Sequence, residues 1–181
     1  MLLNTPACQA GQQAPAFTLS DPDGKTYSLE SLMGEKGLLV AFICNHCPYV
    51  QAVIDRFVAD AKLLQTDGVN VVAVMSNDYR YVSADSPANM KKFAQQHGFT
   101  FPYLVDEDQS VGKAYGAVCT PDFFGFNADG TLQYRGRLDD ARMGDPTNRK
   151  PELLAAMTLV AATGAGPTVQ HPSMGCSIKW S

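Results

Sequence analysis

Two cysteines separated by two residues, Cys44 and Cys47, follow a continuous apolar run and precede a helical pattern. The apolar run, residues 38–43, is typical of a strand that is covered on both faces of a sheet. At a strand-to-helix junction, the free N–H groups and partial positive charge of the helix stabilise a thiolate, which is the nucleophilic form of cysteine. The spacing therefore predicts a redox pair with Cys44 at the helix cap, Cys47 one turn further in, and a lowered pKa for Cys44.

Strands and helices alternate around this pair. Apolar residues at helical spacing after Cys47 predict a helix that ends at Asp67–Gly68, and residues 69–75 indicate a second buried strand. This order predicts a right-handed crossover between parallel strands, and hence an α/β fold. The remaining predicted elements are a hairpin at 17–28, a helix at 86–97, a strand at 102–105, a helix at 110–115, a hairpin at 123–137 and a helix at 150–163.

Length and charge exclude several classes of protein. A chain of 181 residues fits one domain, which we divide into a core at 13–163 and a tail at 164–181. The net charge of −4 without a basic cluster argues against nucleic acid as a partner, and no stretch is long and apolar enough to indicate a membrane partner. The first residues lack the features of a signal peptide, so the expected location is the cytoplasm, where cysteines are more often catalytic than structural.

The two ends of the chain lead to different expectations. Cys8 is predicted to be a free thiol in a loose N-terminus. The C-terminal tail is rich in Gly and Pro, yet it contains the only tryptophan, Trp180, together with Cys176 and Ile178. Disordered tails rarely carry such residues together. We therefore expect the tail to dock near the redox pair, with Cys176 as a candidate third redox thiol.

With residues 44–47, two further motifs resemble the thioredoxin superfamily, in the branch that groups alkyl hydroperoxide reductases and thiol-specific antioxidants. Residues 119–124 are similar to its cis-proline loop, and residues 14–25 to its N-terminal β-hairpin. The resemblance implies a thioredoxin-like fold with a central mixed sheet, helices on both faces and, here, a docked C-terminal tail. It also implies that Thr120 and Pro121 face the pair and bind substrate backbone.

The resemblance suggests roles for three neighbouring residues. A histidine in the slot of His46 stabilises the reduced thiolate in oxidising relatives and raises the reduction potential; the alternative is an exposed side chain without this effect. Cys119 is either a further redox thiol or a small buried hydrophobe. Asp122 is a candidate acid or base near the pair. The cysteine and histidine spacings suggest no zinc module, so we predict neither a metal nor a cofactor.

The chain also departs from the patterns of its relatives. The buried carboxylate that thioredoxins carry on the strand before the pair is replaced by Leu38. The proline, threonine and arginine of peroxiredoxins fall at Val40, Cys44 and about Pro121. All three peroxide-handling groups are therefore absent from their expected positions, which counts against a peroxidase without excluding it, because a reactive thiolate beside a resolving cysteine can still reduce peroxide.

Three functions follow from these considerations. The first is a thiol–disulfide oxidoreductase that acts on protein or small-molecule disulfides with a thiol electron donor, in which Cys44 attacks, Cys47 resolves and His46 tunes the potential. The second is an antioxidant thiol-dependent peroxidase, in which Cys47 or Cys44 is oxidised by peroxide to a sulfenic acid. The third is a non-catalytic redox sensor or adaptor with the same fold.

Overall fold

The computed structural model describes residues 1–181 and has a mixed seven-stranded sheet beside a smaller three-stranded sheet. The strands are β1 (Leu2–Asn4), β2 (Thr18–Ser20), β3 (Thr26–Ser28), β4 (Gly37–Phe42), β5 (Val69–Met75), β6 (Tyr103–Val105), β7 (Cys119–Thr120), β8 (Asp122–Phe126), β9 (Leu132–Tyr134) and β10 (Met174–Ser177). The helices are α1 (Leu29–Leu32), α2 (Pro48–Gln51), α3 (Ile54–Thr66), α4 (Pro87–Gln96), α5 (Ser110–Tyr115) and α6 (Glu152–Thr163). None of these helices is long and apolar enough to cross a membrane.

The central strand β4 is buried along its whole length, as its apolar sequence predicts. It pairs in parallel with β5 and antiparallel with β8, within the strand order β3-β2-β6-β5-β4-β8-β9. Alternate residues of β4 face different apolar clusters: Leu39 packs with α3, α4 and α6, whereas Val40 packs with α1 and α5. Helices therefore cover both faces, and the predicted thioredoxin-like arrangement and the parallel β4–β5 crossover are confirmed.

The helix after the cysteine pair differs from its predicted form. One continuous helix is expected, but the structure has the short α2 followed by α3, with Ala52 and Val53 between them. The Val53 N–H donates to the Val50 carbonyl, a tighter turn than the α-helical pattern allows. The remaining predicted helices and strands are present within a few residues of their expected bounds.

The two chain ends meet in the smaller sheet, whose order is β1-β10-β7. The central strand β10 pairs antiparallel with both neighbours, and Cys176 lies opposite Leu2 on one side and Thr120 on the other. The prediction of a loose N-terminus is therefore wrong, because pairing with β10 satisfies the backbone groups of β1. The prediction that the tail docks on the domain is confirmed.

Candidate redox site

The cysteine pair lies in the loop that joins β4 to α2. Pro48 occupies the first position of α2, and Cys47 is the N-cap residue. A proline is favoured at this position because its ring presets the helical φ angle and no intrahelical N–H is lost. The helix therefore starts after Cys47, and the prediction that Cys44 forms its cap is wrong.

The cis-proline loop faces the two sulfur atoms. The Thr120–Pro121 peptide bond is cis. The Cys44 Sγ lies 3.4 Å from the Thr120 Oγ1, and the Cys47 Sγ lies 3.3 Å from the Thr120 carbonyl oxygen. Both cysteines are buried. The predicted placement of Thr120 and Pro121 beside the pair is confirmed.

The two thiols have opposite pKa shifts. A hydrogen bond from the Cys44 thiol lowers the pKa of Cys47, and further hydrogen bonds from the Thr120 hydroxyl and from the backbone N–H groups of Cys176 and Val50 act in the same direction. The pKa of Cys44 is raised by its interaction with Cys47, by burial and by the negative charge of Asp85. Because the surroundings lower the pKa of Cys47 and raise that of Cys44, we place the thiolate at Cys47, which reverses the order expected from the sequence.

A buried carboxylate, that of Asp85, organises the loop around the pair. Its Oδ1 accepts hydrogen bonds from the backbone N–H groups of Asn45 at 2.8 Å and His46 at 3.3 Å. Its Oδ2 accepts one from the Asn77 side chain at 3.0 Å and lies 2.6 Å from the His46 Nδ1. The His46 ring is thus tied to a buried partner rather than free in solvent, although its tuning role stays a prediction.

Asp85 is the residue that the sequence analysis failed to identify. It lies in a single 3₁₀ turn, Ser83–Asp85, within the polar loop that follows β5. Its side chain is completely buried. In thioredoxins the carboxylate stands on the strand that corresponds to β4, where this chain has Leu38, whereas here a carboxylate reaches the pair from a different loop. The polar character of residues 77–86 after a buried strand was the available signal.

Two other candidates lie beside the loop but are used differently. The Asp122 carboxylate pairs with Arg135, at 2.8 Å and 3.2 Å, and accepts the Val118 N–H at 3.0 Å. Its pKa is raised by burial, against the lowering effect of Arg135. Cys119 is fully buried, which raises the pKa of its thiol. The structure therefore directs Asp122 to Arg135 instead of the redox pair and favours the small-hydrophobe interpretation of Cys119.

Cys176 comes to the pair from the C-terminal tail. It lies opposite Thr120 in the smaller sheet, and the Thr120 carbonyl oxygen is 3.3 Å from the Cys47 Sγ. The residue is half-buried, and burial raises the pKa of its thiol. The prediction that the tail packs near the pair is confirmed, whereas its redox role stays a prediction.

One group of side chains has the composition of a metal site. Donor atoms of Cys44, His46 and Asp85 lie within 4.8 Å of one another. However, the His46 Nδ1 and the Asp85 Oδ2 already form a hydrogen bond, and the Cys44 Sγ is within hydrogen-bond distance of the Thr120 Oγ1. All three donors thus have protein partners, and the arrangement suits a hydrogen-bonded redox loop better than a metal centre.

Known proteins match this chain at both the sequence and the fold level. The sequence model of the AhpC/TSA family matches residues 10–135. A putative peroxiredoxin of Mycobacterium tuberculosis, MT2597, is 29% identical over 130 residues, which are 72% of this chain and 78% of that protein. The thiol-disulfide oxidoreductase ResA of Geobacillus thermodenitrificans is 28% identical over 127 residues, 70% of this chain and 68% of its own.

A solved structure extends the similarity to the tail. The crystal structure of an uncharacterized conserved protein from Geobacillus kaustophilus has a TM-score of 0.93 and 42% identity, and the match covers 100% of this chain and 97% of that chain. Strand β10 and Cys176 lie beyond the residues matched by the family model. That model nevertheless spans well over half of the sequence, and the protein is therefore a member of the AhpC/TSA family.

Proposed function

We propose that this protein is a thiol–disulfide oxidoreductase that uses Cys44 and Cys47 as its redox pair. The observation that carries the proposal is that both sulfurs contact the same residue of the cis-proline loop, Cys44 Sγ at 3.4 Å from the Thr120 Oγ1 and Cys47 Sγ at 3.3 Å from the Thr120 carbonyl oxygen. The similarity to ResA, a thiol-disulfide oxidoreductase, agrees with it. The substrate class is a protein or small-molecule disulfide, with a thiol as electron donor. The cytoplasmic location stays a prediction.

The positions of the sulfurs suggest an order of steps. The Cys47 thiolate attacks one sulfur of a substrate disulfide; a mixed disulfide forms and the other substrate sulfur leaves as a thiolate. Cys44 then loses its proton and attacks the Cys47 sulfur, so that the Cys44–Cys47 disulfide forms and the second substrate thiol departs. A thiol donor reduces this disulfide again. The proposed attacking thiol is thus Cys47, not the Cys44 expected from the sequence.

Insulin reduction in the presence of dithiothreitol tests this function. The wild-type protein should accelerate the reaction, Cys47→Ser should abolish it, and a Cys44→Ser/Cys176→Ser double variant, which has no second thiol beside Cys47, should accumulate mixed disulfides at Cys47. Cys8→Ser serves as a matched control, because Cys8 is half-buried and makes no contact with the pair. Mixed disulfides trapped at Cys44 in a Cys47→Ser variant, and none at Cys47, would reverse the proposed order. An inactive wild-type protein would contradict the function.

A peroxidase activity is the second candidate, favoured by the lowered pKa of Cys47 and by the family membership. In that reaction the Cys47 thiolate attacks a peroxide oxygen and breaks the O–O bond, which yields a sulfenic acid and an alcohol or water. Cys44 would then displace water to form the disulfide. Peroxide consumption with a thiol reductant, together with sulfenic acid detected at Cys47, would establish an antioxidant role. Normal insulin reduction without peroxide consumption would exclude it.

A further inference from the structure

Strand β10 lies along the edge of the loop to which we assign substrate binding. Cys176 is opposite Thr120 and Ser177 is opposite Cys119 in an antiparallel pairing. An extended segment cannot pair with this edge of β7 while β10 is docked, because each strand edge accepts one partner. The chain's own tail therefore covers one edge of the cis-proline loop.

The close fit of β10 depends on a glycine. A Cβ atom added to Gly175 would lie 1.9 Å from the Thr120 carbonyl oxygen, closer than any such contact can be. On one side of the strand, the Ser173 hydroxyl donates to the Pro121 carbonyl at 2.7 Å. On the other, the Lys179 N–H donates to the Asn77 Oδ1 at 2.8 Å. The segment around the strand is thus tied to the cis-proline loop before β10 and to the loop that follows β5 after it.

This docking places a third sulfur next to the pair. Cys176 lies opposite Thr120, whose carbonyl oxygen is 3.3 Å from the Cys47 Sγ, and β10 packs against α2. Cys176 also packs against the apolar cluster that contains Cys44 and Cys47. Because Cys176 is half-buried whereas both members of the pair are buried, it is the most accessible of the three sulfurs.

We propose that Cys176 is a third redox thiol that exchanges with the Cys44–Cys47 disulfide to form a Cys47–Cys176 disulfide. The inference rests on the thiol–disulfide exchange proposed above. Cys176 loses its proton and its sulfur attacks the Cys47 sulfur; the Cys44–Cys47 bond breaks, and Cys44 takes the electron pair and a proton. No external oxidant or reductant is consumed, since one disulfide replaces another. The exchange carries the disulfide from a buried pair to a residue that an external thiol can reach.

Disulfide mapping of the full-length protein tests the exchange. Reduced wild type, Cys44→Ser and Cys8→Ser are oxidised with glutathione disulfide, alkylated and analysed by mass spectrometry. In Cys44→Ser the Cys47–Cys176 link should become the main intramolecular disulfide, whereas Cys8→Ser should give the wild-type pattern. A Cys44→Ser protein that forms only glutathione adducts at Cys47 would overturn the inference. If the wild type forms no Cys44–Cys47 disulfide, the proposed function fails instead.

The rate at which glutathione reduces the Cys44–Cys47 disulfide gives a second readout, which does not require a folded Cys44→Ser variant. A Cys176→Ser variant should still form the Cys44–Cys47 disulfide. Glutathione should reduce that disulfide about tenfold more slowly than in wild type, a factor that corresponds to ~1.4 kcal/mol. An equal rate in the two proteins would overturn the relay.

Displacement of β10 separates the role of the strand from that of its cysteine. Gly175→Ala introduces the clash with Thr120, and Gly144→Ala is the matched control at an exposed glycine. In a Cys44→Ser background, Gly175→Ala should abolish most of the Cys47–Cys176 link, and Gly144→Ala should leave it unchanged. A link of equal yield in both would mean that docking of β10 does not bring the sulfurs together, which would overturn the proposal.

Discussion

Replacement of Asp85 by asparagine should destabilise the protein, although the side chain keeps its shape. The asparagine Oδ1 can still accept from the N–H groups of Asn45 and His46. In place of the Asp85 Oδ2, however, the asparagine has an NH2 group, which donates hydrogen bonds and does not accept them. This group would face the side-chain NH2 of Asn77, also a donor, which in the wild type donates to the Asp85 Oδ2 at 3.0 Å. Asn77 cannot flip to relieve the conflict without cost, because its oxygen accepts the Lys179 N–H at 2.8 Å.

The size of the effect follows from what is lost at this buried site. A buried donor without an acceptor costs ~1–3 kcal/mol, and loss of one charge-assisted hydrogen bond costs a similar ~1.5–3 kcal/mol. His46 can offset part of this loss by changing tautomer so that its Nδ1 accepts from the new amide. We therefore expect Asp85→Asn to lower the free energy of unfolding by about 3 kcal/mol, or the melting temperature by ~6–12 °C for a chain of this size.

Urea unfolding of the reduced proteins measures this change. The midpoint should fall while the m-value stays constant, since the surface exposed on unfolding is the same. Asp67→Asn is the matched control, because Asp67 is exposed and its change should stay within ~0.5 kcal/mol. If Asp85→Asn were as stable as this control, the carboxylate would not hold the loop, and the hydrogen-bond argument would be refuted.

Three further predictions concern the charges near the pair. The ultraviolet absorbance of the thiolate should persist below the ordinary thiol pKa range in the reduced protein and disappear in Cys47→Ser. Because the pKa of Cys47 is lower in the folded than in the unfolded chain, its thiolate contributes its full stabilisation above pH ~8.5, and this stabilisation is lost as the pH falls through the pKa of the folded state. Cys47→Ser should flatten this part of the stability–pH curve. His46→Asn removes the hydrogen bond between the His46 ring and the buried Asp85 carboxylate, so that negative charge acts more strongly on the nearby thiols and the reduction potential against glutathione should fall by tens of millivolts, where ~30 mV is ~1.4 kcal/mol; an unchanged potential would exclude tuning. In Arg135→Met the new side chain can still pack on the Phe124 ring, but Asp122 is left as an unpaired buried charge. Thermal unfolding should therefore show a free energy of unfolding lower by ~3–5 kcal/mol, and an unaffected melting temperature would contradict this.

Local patterns were sufficient for most of the fold. The apolar runs of β4 and β5, the helical spacing of α3 and the Gly and Pro punctuation of the hairpins are short-range signals. Each reflects a preference that neighbouring residues impose on the backbone. The redox pair and the cis-proline loop were identified in the same way, because their spacing and context are written in consecutive residues. The two-helix form of α2 and α3 depended on one tight turn at Val53, for which the sequence has no distinct marker.

The sequence by itself determined the cysteine pair, the order of strands and helices around it and the presence of a tail that docks. Only the tertiary structure decided how this pair is charged. The thiolate position depends on N–H groups from Val50 and Cys176 and on the buried carboxylate of Asp85. Cys176 and Asp85 are distant from Cys47 along the chain and come close only when the sheet and tail assemble. A pKa depends on distances through space, and these distances do not exist until the chain has folded.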